Sequence, residues 1–212
     1  MNYIDLFCGI GGFHQALSKL GCKCVLASDS DKYCREIYEK NYGIKPLPDV
    51  RKIVTKDMPD FDVLCAGFPC QPFSINRQGN RDFVNETDDR VNLYQYLIEI
   101  CRIKKPEYIL FENVAKLETV RNSEDKLMID VIISSLRDIG YKHIKYRILD
   151  AADFGVAQQR KRIFIVACRS CDSFTFPKTD NRTKIKVREI LEENVKSKDY
   201  KEVFKNNIPK KN

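Results

Sequence analysis

The stretch YIDLFCGIGG, residues 3–12, decides the fold. Its first five residues, YIDLF, read as a short buried strand. Gly9, Gly11 and Gly12 follow at once, and a helical pattern then runs to Leu20, with Gly21 placed to end it as a C′ glycine. A strand, a glycine turn and a helix in that order open an α/β sheet, and a turn without side chains lets backbone approach a ligand closely. The spacing CGIGG is not the dinucleotide fingerprint GxGxxG. It leaves two readings, a nucleoside-bearing cofactor without a pyrophosphate, or a tight turn that holds nothing.

Outward from this stretch the alternation continues. KCVLAS (23–28) reads as a strand, and DKYCREIYEKNYG (31–43) as a helix with Tyr33, Ile37 and Tyr38 at helical spacing. A faint strand falls near 45–50, and clearer ones at FDVLCA (61–66), EYILF (107–111), HIKYRIL (143–149) and RIFIVAC (162–168). Helices are expected from about 91 to 103 and over 125–139, the second ending at Gly140. The pattern predicts an α/β, doubly wound, Rossmann-like sheet of about seven strands with helices on both faces. Residues 1–170 are expected to form one domain, and 171–212 a lysine-rich peripheral extension with a short helical pattern around 186–196.

Ligands of such sheets bind beyond the carboxyl ends of the strands. The chemistry-bearing residues collect on that rim. Gly9–Gly12 follow the first strand, Asp29 the second, Gly67–Cys70 the FDVLCA strand, and Glu112 with Asn113 the EYILF strand. Asp29 is placed either to accept hydrogen bonds from ribose hydroxyls or to cap the helix at 31–43. Asp49 reads as an acceptor for an adenine amino group or as an ordinary loop aspartate.

GFPCQPFS (67–74) holds Cys70 in a stiff turn, because Pro69 fixes its own φ and Pro72 restrains Gln71. A cysteine so held suits a nucleophile whose thiolate aims at one atom; the alternative is an incidental loop cysteine. Glu112 closes an apolar strand. A carboxyl half-desolvated near a thiol is expected to have a raised pKa and to donate a proton, with Asn113 orienting it; the plainer role is a helix cap. Arg160 and Arg162 in QQRKR (158–162) lie two apart, on one face of an extended backbone. That pair fits a phosphate or a polarised carbonyl, or simply a solvated strand entry.

Composition narrows the class. The 212 residues are 43% apolar and 32% charged, as in a globular domain. Lysine and arginine total 37 against 30 acidic residues, a net charge of +7 that is compatible with a polyanion and does not require one. Nine cysteines, an odd number at irregular spacings, point to reduced thiols. Cys168 and Cys171 form a CxxC, but with no second CxxC and two histidines no metal is expected. No apolar run spans a bilayer, and the N-terminal stretch lacks a basic n-region, so no membrane contact is expected and a cytoplasmic location is.

The stretches DLFCGIGGFHQAL, GFPCQPFS, FENV and AADFGVAQQRKRIF together resemble the cytosine-C5 DNA methyltransferases, in family order over residues 3–168. The resemblance implies S-adenosylmethionine as cofactor, with Phe7, Gly9, Gly11, Gly12, Asp29, Ser30, Asp49, Val50, Phe68, Pro69 and Leu93 around it. It implies double-stranded DNA as substrate and a cytosine flipped from the stack. Cys70 would add to C6, Glu112 would engage N3 and the exocyclic amine, and Arg162 would help hold the base, with Asn113 and Arg160 also in the catalytic set. The segment 74–92 would close over the base. Ser30 stands where the family often has an apolar or aromatic residue against the adenine. No target-recognition domain or final cofactor helix of the family is found after residue 168. Three expectations follow: a truncated or split DNA methyltransferase with recognition on a second polypeptide, a non-catalytic cofactor- or nucleic-acid-binding fragment, or an RNA cytosine methyltransferase. Restriction–modification is the implied setting.

Overall fold

The computed structural model describes residues 1–69, 93–122, 124–171, 173–179 and 185–191. The strands are β1 (Asn2–Leu6), β2 (Lys23–Ser28), β3 (Val63–Ala66), β4 (Tyr108–Val114), β5 (His143–Asp150) and β6 (Lys161–Cys168). The helices are α1 (Gly12–Ser18), α2 (Lys32–Tyr42), α3 (Leu93–Lys104) and α4 (Met128–Asp138). Among the described residues the strands form one sheet in the order β2-β1-β3-β4-β6-β5. The pairs β1–β2, β1–β3 and β3–β4 are parallel, and β6 runs antiparallel to β4.

The two faces of the sheet bury different sets, as the alternation of side chains along a strand requires. Ile4, Leu6, Leu64, Ala66, Ile109 and Phe111 pack with Leu97, Cys101, Ile132 and Leu136 of α3 and α4. On the other face Tyr3, Cys24, Ala27, Val63 and Cys65 pack with Phe13 and Leu17 of α1 and with Tyr38 and Tyr42 of α2. Helices therefore cover both faces, as the alternating pattern implies.

Met1–Leu149 with Lys161–Pro177 make one compact unit; Asp150–Arg160 and 178–212 belong to a second. Within the second, Asp150 Oδ1 accepts from the amides of Ala152 (3.2 Å) and Arg160 (2.9 Å), closing the loop that carries Gly155 in a left-handed turn.

Several expectations change. The faint strand near 45–50 is one bridge, Leu47 beside Ser28, because Pro46 and Pro48 flank Leu47 and neither has an amide to extend the pairing. Among the described residues six strands stand where about seven were expected. β4 runs on through Val114, so Glu112 and Asn113 lie inside a strand; their pairing with Phe164 and Ile163 of β6 keeps the backbone extended. In α2 Tyr33 and Ile37 are exposed, while Tyr38 is buried and Tyr42 half-buried one turn later on the same face. The described part of the 186–196 pattern is a single turn of 3-10 helix, Val187–Glu189. Cys168 and Cys171, the CxxC of the sequence, lie with their sulfurs side by side at the end of β6. The chain turns back after β6 and brings the two Cα atoms to 5.9 Å, within bridging range.

Candidate active site at the carboxyl rim of the sheet

The first element is the turn after β1. Phe7, half-buried, has φ +56°, Gly9 φ +53° and Gly11 φ +97°, so the chain passes through the left-handed region three times in five residues. Such a path is open to glycine and strained for Phe7. At Gly9 and Gly12 no atom of the described residues, chain neighbours aside, lies within 4 Å of where a Cβ would be, so the turn presents bare backbone there. Gly11 is different: a Cβ there would collide with the Tyr42 ring.

Asp29 follows β2. Its Oδ2 accepts from the Gly9 amide at 2.8 Å and its Oδ1 from the Asp31 amide at 2.8 Å. It does not cap α2. That role falls to Asp31, whose Oδ1 accepts from Tyr33 N (2.7 Å) and Cys34 N (3.0 Å). Asp29 thus keeps acceptor capacity beyond its two amides, since a carboxylate offers about four lone-pair sites. Ser30 is exposed beside it, and Arg35 clamps the backbone there by donating to the Asp29 and Ser30 carbonyls, both at 2.8 Å.

Asp49 caps the short 3-10 turn Val50–Lys52 and holds Arg51 in a two-point pair, Nε at 3.0 Å and Nη2 at 2.9 Å. These bonds draw its carboxyl below the ordinary value, the Arg51 side chain first among the causes. Val50, Phe68 and Leu93 are buried in one cluster with Leu6, so they form a floor beneath the rim.

The second half of the site is carried by β3, β4 and β6. Gly67 lies where the halves meet. The position of a Cβ on it is 3.5 Å from Glu112 Oε2, 3.8 Å from the Phe7 carbonyl and 3.9 Å from the Phe13 ring. Asn113 is buried and donates from Nδ2 to the Phe68 carbonyl at 3.2 Å, while its Oδ1 accepts from the Val114 amide at 2.8 Å. It therefore fixes backbone two residues before Cys70. Arg162 Nε donates to Glu112 Oε1 at 2.9 Å, both side chains about a quarter exposed at 23% and 25%. The antiparallel register explains this pair: Val114 lies opposite Arg162, and Glu112 is two residues along on the same face. Arg160 belongs to the second compact unit. Cys70 and the segment 74–92 lie outside the described residues.

Sequence reading missed the group behind the glycine turn. Asp5 is fully buried in β1. Its Oδ2 accepts from the Tyr38 hydroxyl at 3.3 Å, and Oδ1 has no hydrogen-bond partner among the described residues. Tyr38 also meets His14 Nδ1 at 2.9 Å and Cys24 Sγ at 3.6 Å. The available signal was a carboxylate in the middle of an apolar strand. Burial, opposed by the Tyr38 bond and reinforced by the charge of Asp29, pushes Asp5 up to about 8 from the ordinary 3.8. The native state thus holds a proton that the unfolded chain releases, and stability falls as pH rises from about 4 to about 8. Asp5→Asn, neutral and of the same shape, should lose less stability than the parent between pH 5 and 8. Urea unfolding of both proteins at several pH values measures the difference, and parallel profiles would show that Asp5 is already ionised in the native state.

Fold and rim together define a Rossmann-like α/β protein with an open glycine turn after its first strand and a pinned carboxylate after its second. The family model described as C-5 cytosine-specific DNA methylase matches residues 1–212, and the chain belongs to that family. It is similar to the type II methyltransferase M.NgoBI of Neisseria gonorrhoeae, 39% identical over 189 residues that cover 89% of this chain and 57% of the relative. It is also similar to M.BsuFI of Bacillus subtilis, 41% identical over 197 residues covering 92% of this chain and 46% of that one. The crystal structure of the S. pombe Dnmt2 methyltransferase superposes with a TM-score of 0.71 at 26% identity, over 94% of this chain and 63% of that chain. The chain spans about half the length of the curated relatives it matches.

Proposed function

We propose that the chain carries the catalytic half of a DNA cytosine-C5 methyltransferase that uses S-adenosylmethionine. The observation that carries this reading is the junction at Gly67, where the glycine turn and the Glu112–Arg162 pair meet beside the segment leading to Cys70. The donor set fits the cofactor. Bare backbone at Gly9 and Gly12 admits a nucleoside closely, and Asp29, oriented by two amides, has capacity left for ribose hydroxyls. Asp49, Val50, Phe68, Pro69 and Leu93 complete the proposed pocket, with Ser30 and Phe7 at its edges. When bound, the cofactor supplies an electrophilic methyl group on a sulfonium.

The residues do the rest. Cys70 thiolate adds to C6 of an extruded cytosine, since the ring atom is out of reach in the stack. Glu112 engages N3 and the exocyclic amine, and a proton shared at N3 draws electrons toward that edge and makes C5 nucleophilic. Arg162 holds the Glu112 carboxyl at a fixed angle, and Asn113 holds the Phe68 backbone that leads into the nucleophile. After methylation water acts as the base that takes the C5 proton, the C5–H electron pair re-forms the C5–C6 double bond, and the C6–sulfur bond breaks to release Cys70 as thiolate. Arg160 contributes to binding the base or a phosphate.

In this reading residues 1–170 are the catalytic module, 171–212 a peripheral extension, and the setting cytoplasmic restriction–modification. Among the described residues no helix is long and apolar enough to cross a membrane. Target recognition comes from the rest of a full-length enzyme, here proposed as a second polypeptide. Ile10 and Leu20, 60% and 76% exposed at the ends of α1, offer it apolar surface.

The test is transfer of tritiated methyl from S-adenosylmethionine to duplex DNA or to tRNA. The chain is assayed alone and with the remaining half of a relative added as a separate polypeptide. Label on duplex DNA in either arm supports the proposal. Label on tRNA alone turns the reading to an RNA methyltransferase, and cofactor binding with no label in any arm turns it to a binding fragment.

A further inference from the structure

We propose that Tyr42 is a positioning residue for the cofactor turn, holding from α2 the limb of the turn that Asp29 does not reach; this rests on the reading of residues 9–12 as the S-adenosylmethionine site. The Tyr42 hydroxyl lies 3.2 Å from the Ile10 carbonyl and 3.4 Å from the Gly11 carbonyl, and its one proton serves either. Its ring occupies the space that a Cβ on Gly11 would fill. The ring is fixed in turn. It stacks on His14 with centroids 4.0 Å apart and planes 25° apart, and it meets the Tyr38 ring edge-on at 4.8 Å. His14 is itself tied to Tyr38 at 2.9 Å. The hydroxyl therefore projects from a packed aromatic group onto backbone at positive φ.

The turn is thereby held from two sides, its Gly9 amide by Asp29 and its Ile10 and Gly11 carbonyls by Tyr42. Glycines at positive φ have many alternatives when unbound, and a ligand that needs one of them loses affinity unless the protein selects it beforehand. Without the tyrosine hydroxyl the carbonyl of exposed Ile10 can take water, and the Gly11 carbonyl keeps the Gln15 amide of α1 at 2.9 Å. Loss of the hydroxyl should thus leave the fold intact and weaken binding. That separates a positioning role from a structural one.

Isothermal titration of the 212-residue chain with S-adenosylmethionine, together with the melting temperature of the unliganded protein, tests this. Tyr42→Phe keeps the stack on His14 and removes only the hydroxyl. It should raise the Kd about two- to tenfold with no change in the unliganded melting temperature. Tyr33→Phe on the same helix, exposed at 74%, should bind as the parent does. Parental affinity in Tyr42→Phe overturns the assignment. So does a fall in unliganded melting temperature that accounts for the lost affinity. A parent protein with no affinity for the cofactor overturns the cofactor reading itself, and with it the basis for this inference.

Discussion

Cys70→Ala should bring methyl transfer to background while leaving S-adenosylmethionine binding unchanged. The proposed route needs a bond from sulfur to C6 before C5 becomes nucleophilic, and alanine has no atom to form it. Covalent catalysis divides one difficult step into two easier ones, so its loss removes the reaction rather than slowing it slightly. Cofactor affinity should persist because the turn, Asp29 and the buried floor of Val50, Phe68 and Leu93 are built without the thiol. Tritium incorporation and titration calorimetry on the same preparation measure both. Incorporation at the parental rate would remove the covalent mechanism.

Glu112→Gln should lower methyl transfer by about 10²- to 10⁴-fold, the usual contribution of a positioned acid or base, with little loss of stability. Glutamine keeps an oxygen for Arg162 Nε, and the pair is about a quarter exposed, so replacing the charge costs the fold little. What glutamine lacks is the ability to share a proton at N3. Single-turnover rates with saturating cofactor, set beside urea midpoints, separate the two effects. A rate within a few-fold of the parent would show that Glu112 does not share the proton at N3.

The rim was legible in the sequence because its signals are local. Glycines directly after an apolar strand and an aspartate after the next strand each specify a short piece of backbone. The alternation of strands and helices then places those pieces at one edge. Glu112 could be placed at the rim in the same way. Its partner could not, because Arg162 is 50 residues further on and reaches it only through the antiparallel register of β4 and β6. Asp29 shows a similar limit. Capping chemistry suited it as well as ribose binding, and the backbone after β2 resolves the choice by giving the cap to Asp31.

By itself, the sequence determined the α/β class and the order of the main elements, since periodicity and turn chemistry act over a few residues. Tertiary structure alone decided which groups touch. It brought Gly67 against both halves of the rim, joined Arg162 to Glu112, and buried Asp5 behind the turn that Tyr42 holds. Those contacts depend on strand register and on the face each helix presents, and a register shifted by one residue in its strand would send Asp5, Glu112 or Arg162 to the opposite side of the sheet.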